Sequence, residues 1–327
     1  MTNAEYNSEY AWLRQRLIGV TDLERRKLLA VYESAATEAA ATLKEKLSRG
    51  ASTLTTDRWR QIEFELRNGA KIIADSTDTA VKSAITESYS RMSAIDTEYI
   101  TSAATIAGVS ISGLSSLYAG VNQKLISAVT SSVYNGKSYS ARVWGGQGVE
   151  GDWLARVKNL TSAGIAQGRD PVQIAKDLQA YVKGGVQTIG RWGKLKPGTS
   201  EYIQRLGSAG VDYRAMRLVR TELYRGMHDA SIEDGVINPA CDDQYDWVLS
   251  PGRTNWNCEC PSLAAGGPYS KADIPGYPHV LCMCIVRPVM IGRKEFVQQL
   301  KDYVNGADTT GARNISNWAS KYGIKVE

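Results

Sequence analysis

The sequence predicts a mainly α protein: an elongated helical body with a long N-terminal helical arm and a small C-terminal cysteine-rich α+β lobe. Three observations carry this expectation. Apolar and small residues recur at helical spacing through most of the first 235 positions. Seven of the nine prolines fall after Gly235, where short strands and turns should replace helices. All five cysteines lie between Cys241 and Cys284, an uneven placement that marks one local site and not a general disulfide framework. With 2 Phe against 17 Tyr and 8 Trp, the aromatic content also favours helices lined by Ala, Leu, Ile and Tyr over a thick β core.

The first helix is expected to open at Thr21, an N-cap followed by Asp22 and Glu24, and to carry Leu28, Tyr32, Ala35, Ala39, Leu43 and Leu47 up to Gly50. A second pattern starts near Thr56 and Asp57 and runs through Ile62, Leu66, Ala70, Ile73, Thr77, Val81, Ile85, Met92, Ile95 and Tyr99 to Gly108. It predicts one very long helix, with Asn68 and Gly69 as the place for a kink. The pattern lacks strict heptads, so it fits an arm packed along neighbouring helices better than a two-stranded coiled coil.

A shorter helix follows over Leu114 to Val133, ended by Asn135 and Gly136. After the Gly-rich turn Gly145 to Gly151, one helical pattern holds Trp153, Leu154, Val157, Leu160 and Ile165. The next begins with Asp170 as N-cap and Pro171 in the first turn. A Gly- and Lys-rich loop from Gly184 to Ser200 leads to a helix from Asp212 to about Asp234, stopped by Gly235. Helical spacing resumes at Phe296, Leu300 and Val304, and again at Ile315, Trp318 and Tyr322. The expected division is 1–135 as the arm, 136–235 as a helical module, 236–291 as the cysteine lobe and 292–327 as a helical tail. A chain of 327 residues is long enough for more than one core.

The net charge of +5 is modest, and its distribution says more than its size. Lys183, Arg191, Lys194, Lys196, Arg205, Arg214, Arg217, Arg220 and Arg225 are opposed only by Glu201, Asp212 and Glu222. On the Asp212 helix, Met216, Val219, Leu223 and Met227 form a core face. Arg214, Arg217, Thr221, Tyr224 and His228 lie on another. Lys194, Lys196, Arg214, Arg217 and Arg225 are therefore candidates for tracking phosphates or an acidic protein surface, an ordinary solvated face being the plain alternative. Arg220 and Glu222 flank Thr221 and cannot face one another on a helix, so each is expected to reach a different partner, the cysteine lobe being one. The start, MTNAEYNSEY, has no basic and apolar stretch of a secretory signal, and the most apolar run, Val280 to Val286, is far too short for a bilayer. The expectation is a protein without a membrane span.

Cys258-Glu259-Cys260 and His279-Val280-Leu281-Cys282-Met283-Cys284 place five soft or borderline ligands in two clusters. Zn²⁺ takes four N or S ligands in a tetrahedron, and paired knuckles supply them without a large core. A structural zinc held by a subset of Cys258, Cys260, His279, Cys282 and Cys284 is one reading; buried reduced thiols or disulfides are the other. Either way the cysteines staple a small lobe. The two histidines and the absence of paired carboxylates beside the cysteines offer no catalytic residue, and Glu259, between two ligands, should point away from a shared ion.

With these residues assembled, the region from about Lys137 to Val289 resembles the Mu F-like family of tailed-phage minor head, or head morphogenesis, proteins. The resemblance rests on the order of motifs. These are Arg142-Val143-Trp144, the paired helices around Gly168, the helix bearing Arg220-Thr221-Glu222, Trp247, the Cys258/Cys260 knuckle and the closing His279-x-x-Cys282-x-Cys284. The family commonly has C-x-x-C where this chain has C-x-C, and a His-Pro-x-Cys-Arg-Cys close where this chain reads Pro278 to Cys284. The resemblance implies a non-enzymatic, low-copy virion component in the head near the portal vertex, assembled in the host cytoplasm. Its implied partners are the portal protein, the major capsid or scaffolding protein, and phage DNA without sequence preference. The implied roles are head morphogenesis and genome delivery. Two other classes compete: a zinc-dependent nucleic-acid-binding module, which would need base-reading side chains, and a metal-dependent hydrolase.

Overall fold

The computed structural model describes residues 1–48, 56–131, 211–250, 258–279 and 282–327. Sequence features at Arg142 to Trp144, the helices around Gly168, and Lys194 and Lys196 lie outside these residues. The described elements are α1 (Asn3–Ser48), α2 (Thr56–Ala107), β1 (Ile111–Ser112), α3 (Leu114–Ser131), α4 (Val211–Ile237), β2 (Cys241–Val248), α5 (Cys260–Gly266), β3 (Tyr269–Ser270), β4 (Ile285–Met290), α6 (Arg293–Val304), α7 (Thr310–Tyr322) and β5 (Lys325–Val326). The protein is mainly helical, with a small C-terminal sheet region and its cysteines grouped there.

The first helix starts earlier than its expected cap at Thr21, which lies inside α1. The reason is a capping box: the Thr2 backbone N–H donates to Glu5 Oε2 at 2.6 Å, and the Glu5 N–H donates to Thr2 Oγ1 at 3.2 Å. Tyr6, Tyr10, Leu13 and Leu17 then recur at helical spacing and are all buried. The second helix begins at Thr56 as expected and continues through Asn68 and Gly69 without interruption. At Gly69 the close neighbour is Ala35 of α1, whose Cβ would lie 3.8 Å from an added Cβ. Gly108, at φ +73, lets the chain turn out of α2, and its N–H and that of Val109 close back on Thr105 O and Ala104 O.

Two compact units emerge, and they do not follow the linear division at 135, 235 and 291. One contains Met1–Gly19, Ala84–Ser132 and Thr221–Glu327; the other contains Val20–Ser83 and Val133–Arg220. The second unit buries Leu28, Ala35 and Ala39 of α1 and Ala70, Ile73 and Val81 of α2. In the first unit, segments far apart in sequence share one core. Tyr99 stacks on Phe296 at 6.4 Å between ring centroids, and Trp318 Nε1 donates to Ile237 O at 2.8 Å. Asn3 Nδ2 donates to Met290 O and Ile291 O, while Tyr99 OH donates to Asn3 Oδ1 at 2.6 Å. The start of α1 is thereby fastened to the end of β4. β1 pairs antiparallel with β5, Ile111 opposite Val326.

The lobe is a three-stranded antiparallel sheet in the order β3-β2-β4, with Trp247 opposite Val286 and Tyr245 opposite Pro288. A register shift between Cys241 and Tyr245 coincides with Asp243 at φ 56. Beyond it, Tyr245 and Trp247 alternate inward, as a period of two requires.

Gly235 does not stop α4, which continues to Ile237. It is there for space: a Cβ at Gly235 would meet the Tyr245 hydroxyl oxygen at 2.7 Å. Tyr245 is fully buried and donates to Ile232 O at 3.1 Å, so its ring cannot swing aside cheaply. Gly235→Ala should therefore lose about 1–3 kcal/mol from overpacking, against about 1 kcal/mol gained in helix propensity. A urea midpoint below that of the parent is the expected readout, and an unchanged midpoint would show that the contact yields. The helix ends instead at Asn238, whose N–H bonds to Gly235 O and whose Oδ1 accepts from the Ala240 N–H.

Candidate metal centre

Each knuckle alternates inward and outward. Cys282 and Cys284 are buried with Met283 half-buried between them, leading straight into β4; Cys260 is buried and Cys258 half-buried with Glu259 exposed between them. At Cys282 and Cys284, on the chain leading into β4, a spacing of two turns both sulfurs to one side; Glu259 is in the αR region at φ −75 and ψ −8, so Cys258 and Cys260 are brought together by the turn that opens α5. α5 begins at Cys260, with Pro261 in its first turn, where a missing N–H costs nothing. Between the knuckles, the Cys282 N–H closes a turn on His279 O at 3.2 Å, and Tyr277 OH donates to Cys282 O at 2.7 Å.

These turns bring the donors together in two sets that share Cys260: Cys258, Cys260 and His279, and Cys260, Cys282 and Cys284. Within each set every donor atom lies within 4.8 Å of the others. The Cys260 sulfur is 3.2 Å from His279 Nε2 and 3.6 Å from the Cys282 sulfur. Zinc–sulfur bonds of about 2.3 Å and zinc–nitrogen bonds of about 2.0 Å give tetrahedral edges of roughly 3.8 Å and 3.5 Å. The observed separations fall within a few tenths of an ångström of those edges. The cluster can hold a metal ion, and its donors are sulfur and imidazole alone, the set a soft or borderline metal prefers.

The electrostatics agree with a cationic guest. The hydrogen bond between Cys282 and Cys284 raises the Cys282 thiol well above its ordinary range and, together with the Ser250 backbone N–H, Cys260 and Trp247, lowers Cys284 to about 6. Burial pushes Cys260 up to about 12. Neighbouring thiols in a dry site resist ionising together, and a bound cation removes that resistance. Cys241 stands apart: its sulfur is 4.0 Å from Gln244 O, burial raises it to about 12, and it belongs to neither donor set.

The lobe's buried cluster is Tyr245, Trp247, Cys260, Cys282, Cys284 and Val286. Half of it is cysteine, and Ile232, Leu249, Leu263 and Ile274 pack around it, so a link through sulfur would tie together the centre of a small apolar core.

The lobe sits on α4. Thr221 and Glu222 are buried, with Arg225 3.7 Å from Glu222 and its guanidinium 5.6 Å from the centre of the Tyr277 ring. Arg225, a candidate for phosphate contact, thus reaches the lobe, the partner expected for Arg220 or Glu222. Arg214 and Arg217 fall in the first turns of α4, and their side chains lie outside the described residues. Three contacts on α4 were not anticipated from the sequence. His228, buried between Trp247 and Tyr277, has Nδ1 3.1 Å from Asp229 Oδ1 and Nε2 3.1 Å from Pro275 O. Ser231 Oγ donates to Val286 O at 2.7 Å. Tyr224 OH donates to Arg14 O, while Arg14 Nη1 donates to Leu249 O. A polar residue every three or four positions on an otherwise apolar helical face was the available signal.

The chain matches no family model, no curated protein and no solved structure in the comparisons made. Among the described residues, no helix is long and apolar enough to cross a membrane.

Proposed function

We propose that this protein is a structural, non-catalytic component of a tailed-phage head, a minor head protein of the Mu F-like kind, whose cysteine lobe is closed by one structural zinc ion. The observation that carries the reading is the meeting of Cys258, Cys260, His279, Cys282 and Cys284 around Cys260, on a lobe packed against the helix bearing Arg220-Thr221-Glu222. The order of these motifs supports the family, and the all-sulfur-and-imidazole donor set supports zinc. In this role the zinc supplies folding energy and a rigid docking surface. The partners are the portal protein and the capsid or scaffolding shell, and the basic stretch from Lys183 to Arg225 meets packaged DNA through phosphates.

Two measurements test the reading. The full chain, expressed with its portal and capsid proteins, should sediment with procapsids; a chain left entirely in the unassembled fraction contradicts the head assignment. Its retention on DNA should be indifferent to sequence and fall steeply with salt, on the order of 10³-fold between 50 and 200 mM if about six phosphates are contacted. Strong discrimination between DNA sequences would instead favour a zinc-dependent nucleic-acid-binding module.

A further inference from the structure

A second polar cluster lies inside the unit that carries the lobe, and none of the metal-centre residues belongs to it. Asp96 of α2 and Asp234 of α4 are both fully buried. Asp96 Oδ1 accepts from Tyr6 OH at 2.7 Å and from Asn238 Nδ2 at 3.0 Å. Asp234 Oδ2 accepts from Ser93 Oγ at 2.9 Å, and Ser93 in turn bonds Asn122 of α3. Each carboxylate therefore has one oxygen satisfied, while Asp96 Oδ2 and Asp234 Oδ1 have no hydrogen-bond partner. The buried Tyr118 hydroxyl has none either, the Tyr10 hydroxyl makes no well-formed bond though it lies beside Tyr6, Ser231 and Asp96, and both tyrosines lie close enough to the two carboxyls to feel their charge. Four helices thus each place an oxygen without a well-formed hydrogen bond in one buried cluster, and buried oxygens left so call for an explanation.

Two features point to a cation. Among the described residues, no Lys, Arg or His acts on either carboxyl group; the influences are tyrosine, serine, asparagine and other acids. A groove also comes up to the cluster: about 1100 Å³ along α2 and α3, it is lined by Ser90, Thr97 and Glu98 and reaches Ser93, Tyr118 and Asn122 at the cluster's edge.

We propose that Asp96 and Asp234, with the hydroxyls of Tyr10 and Tyr118, form an interior site for a hard divalent cation, reached through the groove along α2 and α3. Two carboxylates balance a charge of two. Donors that are all oxygen exclude the preference for soft metals seen at the cysteines. Calcium suits the site better than magnesium, because calcium accepts irregular oxygen shells of six to eight ligands whereas magnesium demands a near-ideal octahedron and sheds water reluctantly. Ligands arriving from four different helices are irregular by construction, and water entering by the groove completes the shell.

The test uses the full, zinc-loaded chain at pH 8 and calcium ion alone as the probe. Calcium should raise Tm saturably by roughly 3–8 °C, the size expected when a ligand binds the folded state well above its Kd. Terbium, a luminescent stand-in for calcium, should be sensitised by the adjacent tyrosines and displaced by calcium. Asp234→Asn, which keeps the shape and the Ser93 contact, should abolish both effects. Absence of saturable calcium binding by calorimetry on the parent protein overturns the proposal whether or not the variant folds. A calcium-dependent rise of equal size in Asp234→Asn overturns it as well.

Discussion

Replacing Cys260 with Ser is expected to abolish zinc retention, lowering bound zinc from about one ion per chain to a trace after dialysis. Cys260 is the residue common to both donor sets, so its loss breaks both sets of three and leaves the other four donors without the sulfur that joins them. The effect should exceed the roughly 10–100-fold loss typical of removing an outer-shell partner of a metal ligand. In zinc-finger peptides the apparent binding energy of structural zinc is about 10–16 kcal/mol, and much of it is folding energy. The lobe's buried cluster would then rest on Tyr245, Trp247 and Val286 with two uncommitted thiols. The near-ultraviolet signal of Trp247 should collapse with the zinc, while the helical far-ultraviolet signal largely persists. Cys241→Ser is the matched control, because that sulfur lies in neither set and zinc should stay. If a strong chelator leaves the parent spectrum untouched, the thiols close the lobe unaided and the zinc assignment fails.

Asp96→Asn should stabilise the protein at pH 8 in calcium-free buffer. In the unfolded chain this carboxyl titrates near 3.9. In the fold, burial raises it to about 7, with the hydrogen bonds from Tyr6 and Asn238 pulling the other way. Below about pH 4 both states are protonated and the group imposes no ionisation cost. Between about 4 and 7 the unfolded chain sheds a proton that the folded chain keeps, so stability falls by roughly 1.4 kcal/mol per pH unit and levels off above. Asp234 is raised in the same direction, first by burial and then by the charge of Asp96, and adds to the slope. Asparagine keeps the oxygen that accepts from Tyr6 and Asn238 while removing the charge. Urea denaturation across pH 5 to 8 should show a falling curve for the parent and a flatter one for the variant, crossing so that the variant is the more stable at pH 8. Parallel curves would mean that Asp96 does not ionise in this range.

The parts of the fold legible in the sequence were those governed by local spacing. α2, α3, α6 and α7 fall close to their periodic stretches, because a repeat of three to four residues shows which side of a helix is apolar. The start of α1 was missed although Thr2 and Glu5 spell a capping box, because tyrosine at positions 6 and 10 reads as polar in a polar N-terminus and here fills the core. Gly235 was misread for the opposite reason. Glycine ordinarily ends a helix, and only the position of Tyr245 on a strand shows that the residue is small to admit a ring. At the metal centre the five donors, with Cys241 left out, were named by their types and pairing, yet their sharing of Cys260 was not.

By itself the sequence determined that the chain is mainly helical, that short strands and turns gather after Gly235, and that two C-x-C knuckles with His279 supply donors able to hold a metal ion. Those are properties of neighbours along the chain, set by backbone periodicity and side-chain chemistry. Only the tertiary structure decided that α1 and α2 each contribute to two units, that His228 and Ser231 hold the lobe to α4, and that Asp96 and Asp234 occupy one interior cluster. Periodicity tells which face of a helix is buried, but it carries no information about which distant face it meets. A buried carboxylate draws its chemistry from that meeting.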